Sequence, residues 1–117
     1  MTWVRRVGSA FVWTGSAVLA SGAVVVVVAL AAGYRPVVIT SGSMGDAAPT
    51  GSVIIAAPTG SVEIGDVLVM RRDGSATITH RVVEIEKQAG ARYAVTQGDA
   101  NIDRDIEPYR LQPGDVQ

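Results

Sequence analysis

The sequence predicts a mainly β protein in which one N-terminal transmembrane helix precedes a small domain with a partly closed sheet. Three observations support this fold class. No Asp, Glu, Lys, Arg or His occurs in residues 7–34, a stretch of 28 residues. Beyond Pro36 the apolar residues form short runs rich in β-branched side chains, which favour strands. Clusters of Gly, Pro, Asp and Ser separate these runs and predict turns.

The charged residues are concentrated after residue 34, and the composition argues against several classes of function. The chain has 117 residues, about one domain's length, and is 48% hydrophobic. Residues 35–117 carry 8 Lys/Arg and all 11 Asp/Glu, a formal charge of −3. Without a basic patch, we expect no nucleic-acid partner. The absence of cysteine excludes disulfides and cysteine nucleophiles, and a single histidine argues against a zinc site, so we expect no metal or cofactor.

Residues 7–34 predict a membrane anchor. About 20 apolar residues cross the ~30 Å hydrocarbon core of a bilayer. Five consecutive valines at 24–28 would favour a strand in water, but in lipid the backbone must bond internally, so we expect a helix. Arg5 and Arg6 outnumber Arg35 on the other side. The positive-inside rule then predicts a single-pass protein of the cell membrane, with residues 1–6 cytoplasmic and residues 35–117 on the extracytoplasmic side.

The alternative interpretation of this run is a cleaved signal peptide. Arg5 and Arg6 followed by an apolar run with a small-residue end at 29–32 fit such a peptide. The apolar run is longer than the usual 7–15 residues of a signal-peptide core, which favours a retained anchor.

The predicted strands cover residues 37–39, 53–56, 67–70, 76–85 and 93–96. Turn clusters separate them, and Asp73-Gly74 is the strongest hairpin signal. No long amphipathic helix is expected after residue 36, and closing the sheet would remove its exposed edges. Residues 113–117 resemble the start of another strand, so the final strand is either missing or very short.

Residues 40–44, Thr-Ser-Gly-Ser-Met, follow the anchor directly and contain two serines. A serine is a weak nucleophile unless a neighbouring base takes its proton. The chain offers one histidine, His80, and one lysine, Lys87. His80 lies in the longest predicted strand in a half-buried setting, whereas Lys87 lies near an exposed turn and would stay protonated. Residue types therefore favour a Ser/His pair, the alternative being a core histidine bonded to a backbone group.

A carboxylate that orients the histidine would complete such a site. The segment 98–105 offers Asp99, Asp103 and Asp105 with no helical or strand pattern. The alternatives are a solvated acidic loop and a calcium loop. The glycine and the distal glutamate of an EF-hand are missing, which makes calcium the weaker interpretation.

Four short motifs behind one anchor closely resemble signal peptidase I of the endoplasmic-reticulum type, which has eukaryotic, archaeal and Gram-positive members. The resemblance covers nearly the whole chain, and it depends on the order of the motifs because none is decisive alone. They are Ser41-Gly-Ser-Met44, Gly65-Asp-Val-Leu-Val69, Thr79-His-Arg-Val-Val-Glu-Ile85, and Gly98-Asp-Ala-Asn101 followed by Asp105.

The resemblance implies a β-rich, membrane-bound serine endopeptidase that removes signal peptides from exported preproteins, so the implied partners are signal peptides and the lipid bilayer. It implies that Ser43 is the nucleophile and that His80 is the base in place of the lysine of the bacterial type. Asp105 matches the acid of the triad, and Asp99 matches the family's other loop aspartate. The Ser41 hydroxyl and the Ser43 backbone N–H match the oxyanion hole.

The chain departs from the family after Met44. Relatives usually continue with Glu-Pro-Thr, whereas here Gly-Asp-Ala-Ala precedes Pro49 and Thr50, which predicts a longer and more flexible loop beside the cleft. Many relatives also carry a second membrane helix after the β domain, and this chain ends without one. A second hypothesis is a non-catalytic, membrane-tethered β module that binds a partner or assembles at the cell surface. A self-cleaving serine peptidase of the same clan is a weaker third, because the anchor and the lack of a lysine base argue against it.

Overall fold

The computed structural model describes residues 2–58, 60–71, 77–113 and 115. The chain divides into two compact units, Met1–Gly33 and Tyr34–Gln117. The first unit is one helix, α1, at Thr2–Ala31. Its segment Gly8–Ala31 has 24 residues and is long and apolar enough to cross a membrane, although a signal sequence passes the same test. At 1.5 Å per residue this segment spans about 36 Å.

The helix includes the valine run, as expected for a segment that satisfies its own backbone groups. Two of its hydroxyls also bond to the helix backbone. The Thr14 hydroxyl donates to the Ala10 carbonyl at 2.9 Å, and the Ser21 hydroxyl donates to the Ala17 carbonyl at 2.8 Å. Bonds of this kind satisfy these two hydroxyl protons within the helix.

The second unit is an antiparallel β half-barrel. This confirms the prediction of a β domain with a partly closed sheet after the N-terminal helix. β1 and β2 form a two-stranded sheet, and the other four strands form a sheet in the order β3-β4-β5-β6. The strands are β1 Arg35–Val38, β2 Val53–Ala56, β3 Val67–Arg71, β4 Thr77–Gln88, β5 Ala91–Gln97 and β6 Tyr109–Arg110. One short 3-10 helix, Gly45–Ala47, lies between β1 and β2.

Most of the predicted strands are confirmed, with small shifts at their ends. β2 has the predicted bounds, and β4 continues three residues further than expected, to Gln88. The turn after β4 is formed by Ala89 and Gly90, whose φ values are 47° and 81°. Positive φ at both positions is the type I′ geometry that matches the twist of a two-residue hairpin.

Other expectations about turns and termini have different outcomes. β6 was not anticipated from the sequence. Asp73-Gly74 lies outside the described residues, although β3 and β4 pair antiparallel up to Arg71 and Thr77. In the expected strand start at 113–117, Pro113 instead lies in a turn. The Asp115 N–H donates to the Gln112 carbonyl at 3.2 Å there.

Two apolar clusters support the second unit. The sheet core consists of Leu68, Met70, Val82 and Ala94 on β3, β4 and β5, together with Val62 from the segment before β3. The loop core lies between β1 and β2 and consists of Ile39, Met44 and Ala48, with Ile54 and Val67 packed against it. The loop core holds the serine-containing segment, because Met44 is only 2% exposed.

A β-bulge in β4 fixes which side chains share a face. Val82 pairs with Thr96 and Glu84 pairs with Val95, so Val83 is the extra residue. Opposite residues of an antiparallel pair project to the same face, and alternate residues of one strand do too. His80 therefore shares the face of Val82 and Thr96.

Candidate active site

Ser43 lies on a tight turn held from both sides. Met44, the next residue, is buried in the loop core, and the Gly45 N–H donates to the Gly42 carbonyl at 3.0 Å. The Ser43 hydroxyl lies 3.2 Å from the Ser41 hydroxyl, within hydrogen-bonding distance. The turn thus brings both predicted serines together, with Ser43 half-buried and Ser41 exposed.

The backbone of Ser43 contacts the segment that follows β5. The Ala100 N–H donates to the Ser43 carbonyl at 2.9 Å. Gly98 leaves the space for this approach, since a Cβ at Gly98 would lie 2.5 Å from the Ser43 carbonyl oxygen and 3.0 Å from the Ser43 Cβ. The register that pairs Arg81 with Gln97, extended by one residue, brings Gly98 across from His80. A side chain at position 98 would therefore compete with Ser43 for the space next to His80.

His80 is bonded to Asp105. His80 Nδ1 lies 2.7 Å from Asp105 Oδ2, and the two side chains are 10% and 16% exposed. The Thr96 hydroxyl donates to the same carboxylate oxygen at 2.5 Å, and the Asp105 N–H donates to the Thr96 carbonyl at 2.8 Å. The carboxylate accepts a hydrogen bond from Nδ1–H, so an imidazole in its neutral form keeps its proton on Nδ1 and leaves Nε2 as a proton acceptor.

Asp99 is bonded to Arg81 instead. Its two carboxylate oxygens accept from Nε and a terminal nitrogen of Arg81 at 2.9 and 2.7 Å, and the guanidinium also donates to the Gly65 carbonyl at 2.8 Å. The hydrogen bonding from Arg81 lowers the pKa of Asp99 below its usual range, and the same pair raises the pKa of Arg81. Asp99 therefore fixes the turn that contacts Ser43, and the carboxylate bonded to His80 is that of Asp105.

Ser43 and His80 line one cavity of about 310 Å³. Its apolar wall includes Val38, Ile39 and Met44. In the described part of the chain, no hydrogen bond joins the Ser43 hydroxyl to His80, and no acceptor takes the Ser43 backbone N–H. A catalytic serine and histidine are often loosely aligned until substrate is present. The free N–H is available to an oxyanion.

The remaining candidates, Lys87 and Asp103, do not line this cavity. Lys87 is exposed near the end of β4, next to the Ala89–Gly90 turn, as the sequence predicted. Asp103 is exposed and lines a neighbouring surface hollow with Ile106; Asn101 lines both this hollow and the Ser43–His80 cavity.

The loop after Met44, residues 45–50, has a defined internal structure. It begins with the 3-10 helix, in which the Ala47 N–H donates to the Met44 carbonyl at 3.2 Å. Ala48 is 5% exposed and packs in the loop core. The Ser52 N–H then closes a turn on the Pro49 carbonyl at 3.0 Å. Ala48 and these backbone hydrogen bonds thus hold the additional residues against the domain.

Three residues of the site were not anticipated from the sequence. Thr96 looks like an ordinary β-branched strand residue, and nothing local marks its hydroxyl as a donor to Asp105. Gly98 did carry a signal, since a glycine between a strand and an acidic turn often marks a close backbone approach. Arg81 belongs to the Thr79-His-Arg motif, but the sequence does not reveal Asp99 as its partner, because that pairing depends on the geometry of the turn.

The described residues show no cluster of metal ligands. Within residues 2–58, 60–71, 77–113 and 115, no three His, Asp or Glu side chains gather to hold a metal ion.

Comparisons with protein-family models, curated proteins and solved structures find no match for this chain.

Proposed function

We propose that the protein is a membrane-bound serine endopeptidase that removes signal peptides from exported preproteins, a signal peptidase I of the endoplasmic-reticulum type. The observation that carries the proposal is the His80–Asp105 pair, with Nδ1 bonded to the carboxylate and the histidine lining one cavity with Ser43. In this arrangement a neutral histidine has Nε2 free to accept a serine proton. The order of motifs along the chain adds the substrate class.

The reaction follows from these groups. Ser43 Oγ attacks the scissile carbonyl carbon while its proton passes to His80 Nε2, and Asp105 stabilises the resulting imidazolium. The Ser43 N–H donates to the oxyanion, and the nearby Ser41 hydroxyl is the second donor. Collapse breaks the C–N bond, and His80 returns the proton to the departing amine. Water then attacks the acyl-enzyme, passing one proton to His80, and Ser43 regains its hydroxyl when the ester breaks.

The free edge of β1 supports an extended substrate. In the described residues β1 pairs only with β2, so its other edge is open to a third strand. A peptide that adds there gains backbone hydrogen bonds, and specificity comes from pockets for alternate side chains. The small, partly apolar cavity beside Val38 and Ile39 suits short side chains such as alanine. We propose that α1 anchors the enzyme in the cell membrane with its N-terminus cytoplasmic, since signal peptides emerge from a bilayer.

Cleavage of a model preprotein by the full-length chain in detergent tests the proposal. We expect Ser43→Ala and His80→Ala each to abolish cleavage, since both groups take part in proton transfer. Lys87→Ala is the matched control and should cleave at the wild-type rate. Normal processing by the His80 variant would refute the Ser/His mechanism.

One observation favours the second hypothesis, a membrane-tethered β module without catalysis. The Ser43 hydroxyl is bonded to Ser41 and not to His80. An active-site probe separates the two functions, because a fluorophosphonate reacts only with an activated serine. Labelling of wild-type protein, lost in Ser43→Ala, supports the peptidase. An unlabelled, folded protein that also leaves the preprotein uncut supports the binding module.

A further inference from the structure

Thr96 holds Asp105 by two hydrogen bonds. Its hydroxyl donates to Asp105 Oδ2 at 2.5 Å, and its carbonyl accepts from the Asp105 N–H at 2.8 Å. Thr96 itself is completely buried on β5. A rigid, buried strand residue thus fixes both the backbone and the carboxylate of a residue that lies in an irregular segment.

The bonded oxygen is the one that faces His80. Oδ2 of Asp105 accepts from His80 Nδ1 at 2.7 Å and from Thr96 at 2.5 Å. Two donors on one oxygen restrict rotation of the carboxylate about its Cβ–Cγ bond, a torsion that is otherwise broad. Without the hydroxyl, the carboxylate could rotate or turn towards water, since it is 16% exposed.

Packing alone does not explain a hydroxyl at this position. Valine has nearly the same shape and would suit a buried strand position without the cost of burying a polar group. The other neighbour of the hydroxyl is Met70 Sδ, 3.9 Å away, and a thioether is a weak acceptor. The single hydroxyl proton therefore belongs to the short bond with Asp105.

We infer that Thr96 is a positioning residue that aligns Asp105 with His80. Its effect on rate rests on the proposed peptidase function, whereas its effect on the His80–Asp105 bond does not. Thr96 touches neither the cavity nor the substrate path, so it acts through Asp105. Its loss should lower kcat and leave KM nearly unchanged, because the imidazolium that Asp105 stabilises forms only during reaction.

The test compares Thr96→Val, which removes the hydroxyl at constant shape, with Thr96→Ser, which keeps it. Both are made in the full chain in detergent micelles. Cleavage of a model preprotein gives kcat and KM. Proton NMR gives the Nδ1–H resonance of His80, which needs no assignment because the chain has one histidine.

We expect Thr96→Val to lower kcat about tenfold with KM within about twofold, as for an interaction made mainly in the transition state. The His80 Nδ1–H resonance should move upfield or disappear by exchange with water. Thr96→Ser should keep kcat and the Nδ1–H resonance close to their wild-type values. If the valine variant does not fold by circular dichroism, Thr96→Ala is measured in the same way.

An unchanged Nδ1–H resonance in the folded valine or alanine variant overturns the inference. So does a Thr96→Ser variant as impaired as Thr96→Val, since the hydroxyl would then be irrelevant. A wild-type chain that cleaves no preprotein refutes the proposed function instead, and the resonance alone then decides the role of Thr96.

Discussion

The substitution Gly98→Ala tests whether the site depends on one close backbone approach. A Cβ at this position would lie 2.5 Å from the Ser43 carbonyl oxygen, 2.9 Å from Asn101 Nδ2 and 3.0 Å from Ser43 Cβ. The Asn101 side chain can rotate away. The Ser43 backbone cannot, because it is tied to Ala100 by a hydrogen bond and to the loop core by the buried Met44.

The size of the effect follows from these distances. An ordinary contact begins at 3.4 Å, so the Ser43 carbonyl and the turn at Gly98 must separate by about 0.9 Å. A displacement of about 1 Å at a reacting group costs about 100-fold in rate. Overpacking costs about 1–3 kcal/mol of stability, and replacing glycine at a normal φ returns about 0.4–1 kcal/mol through the unfolded state. We therefore expect a large loss of kcat with only a modest loss of stability.

The assay pairs cleavage of a model preprotein with urea unfolding of the full chain in detergent. Gly60→Ala is the matched control, since its Cβ would meet nothing within 4 Å. A folded Gly98→Ala variant that cleaves at the wild-type rate would refute the contact between Ser43 and Gly98. An equal loss of activity in the Gly60 variant would show that the effect is not specific to the site.

Three further predictions concern stability and are measured by urea unfolding. Because Arg81 lowers the pKa of Asp99, the ionised carboxylate stabilises the fold above the usual range near pH 4, and this stability is lost as the pH falls through the lowered value. Asp99→Asn should therefore lose less stability than wild type between about pH 6 and about pH 2; an unchanged acid dependence would contradict this. Met70→Ala, at a fully buried position of the sheet core, should cost about 2–5 kcal/mol, and a loss below about 1 kcal/mol would show that the core collapses around the cavity. Arg104→Ala should cost less than about 1 kcal/mol, because its 2.6 Å ion pair with Glu84 is half-exposed on both sides; a larger loss would reveal a role beyond that pair.

The fold was predictable wherever a strand carries its own apolar pattern. β2 and the middle of β4 are such segments, and both appear as expected. β6 was not predictable, because its two residues join the sheet only through pairing of Tyr109 with Ala94 and Arg110 with Tyr93. The last residues of β4, 86–88, are polar and become strand because the hairpin at Ala89 continues the ladder. Tertiary pairing supplies what local propensity lacks at these positions.

The candidate site was predictable as a set of residue types but not as a set of partners. The chain has only one histidine and one lysine, and His80 was the better candidate base because it lies in a half-buried strand. Residue types alone did not distinguish Asp99, Asp103 and Asp105, which look alike in an irregular segment, and only the family resemblance implied Asp105 as the acid. The choice depends on a backbone bond from Asp105 to Thr96 that no sequence pattern encodes.

Strand geometry explains why two aspartates of one loop have different partners. His80 and Arg81 are consecutive on β4, so their side chains project to opposite faces. The loop after β5 follows the last β4–β5 pair, Arg81 with Gln97. In this loop Asp105 bonds to His80 on one face of β4, and Asp99 bonds to Arg81 on the other face. Gly98 and Ala100, on either side of Asp99 in this loop, lie against the Ser43 backbone. One short loop therefore positions the candidate nucleophile and its base against each other. Asp99→Asn should consequently disturb Ser43 through the turn without breaking the His80–Asp105 pair, so cleavage of a model preprotein should fall while the His80 Nδ1–H resonance stays at its wild-type position.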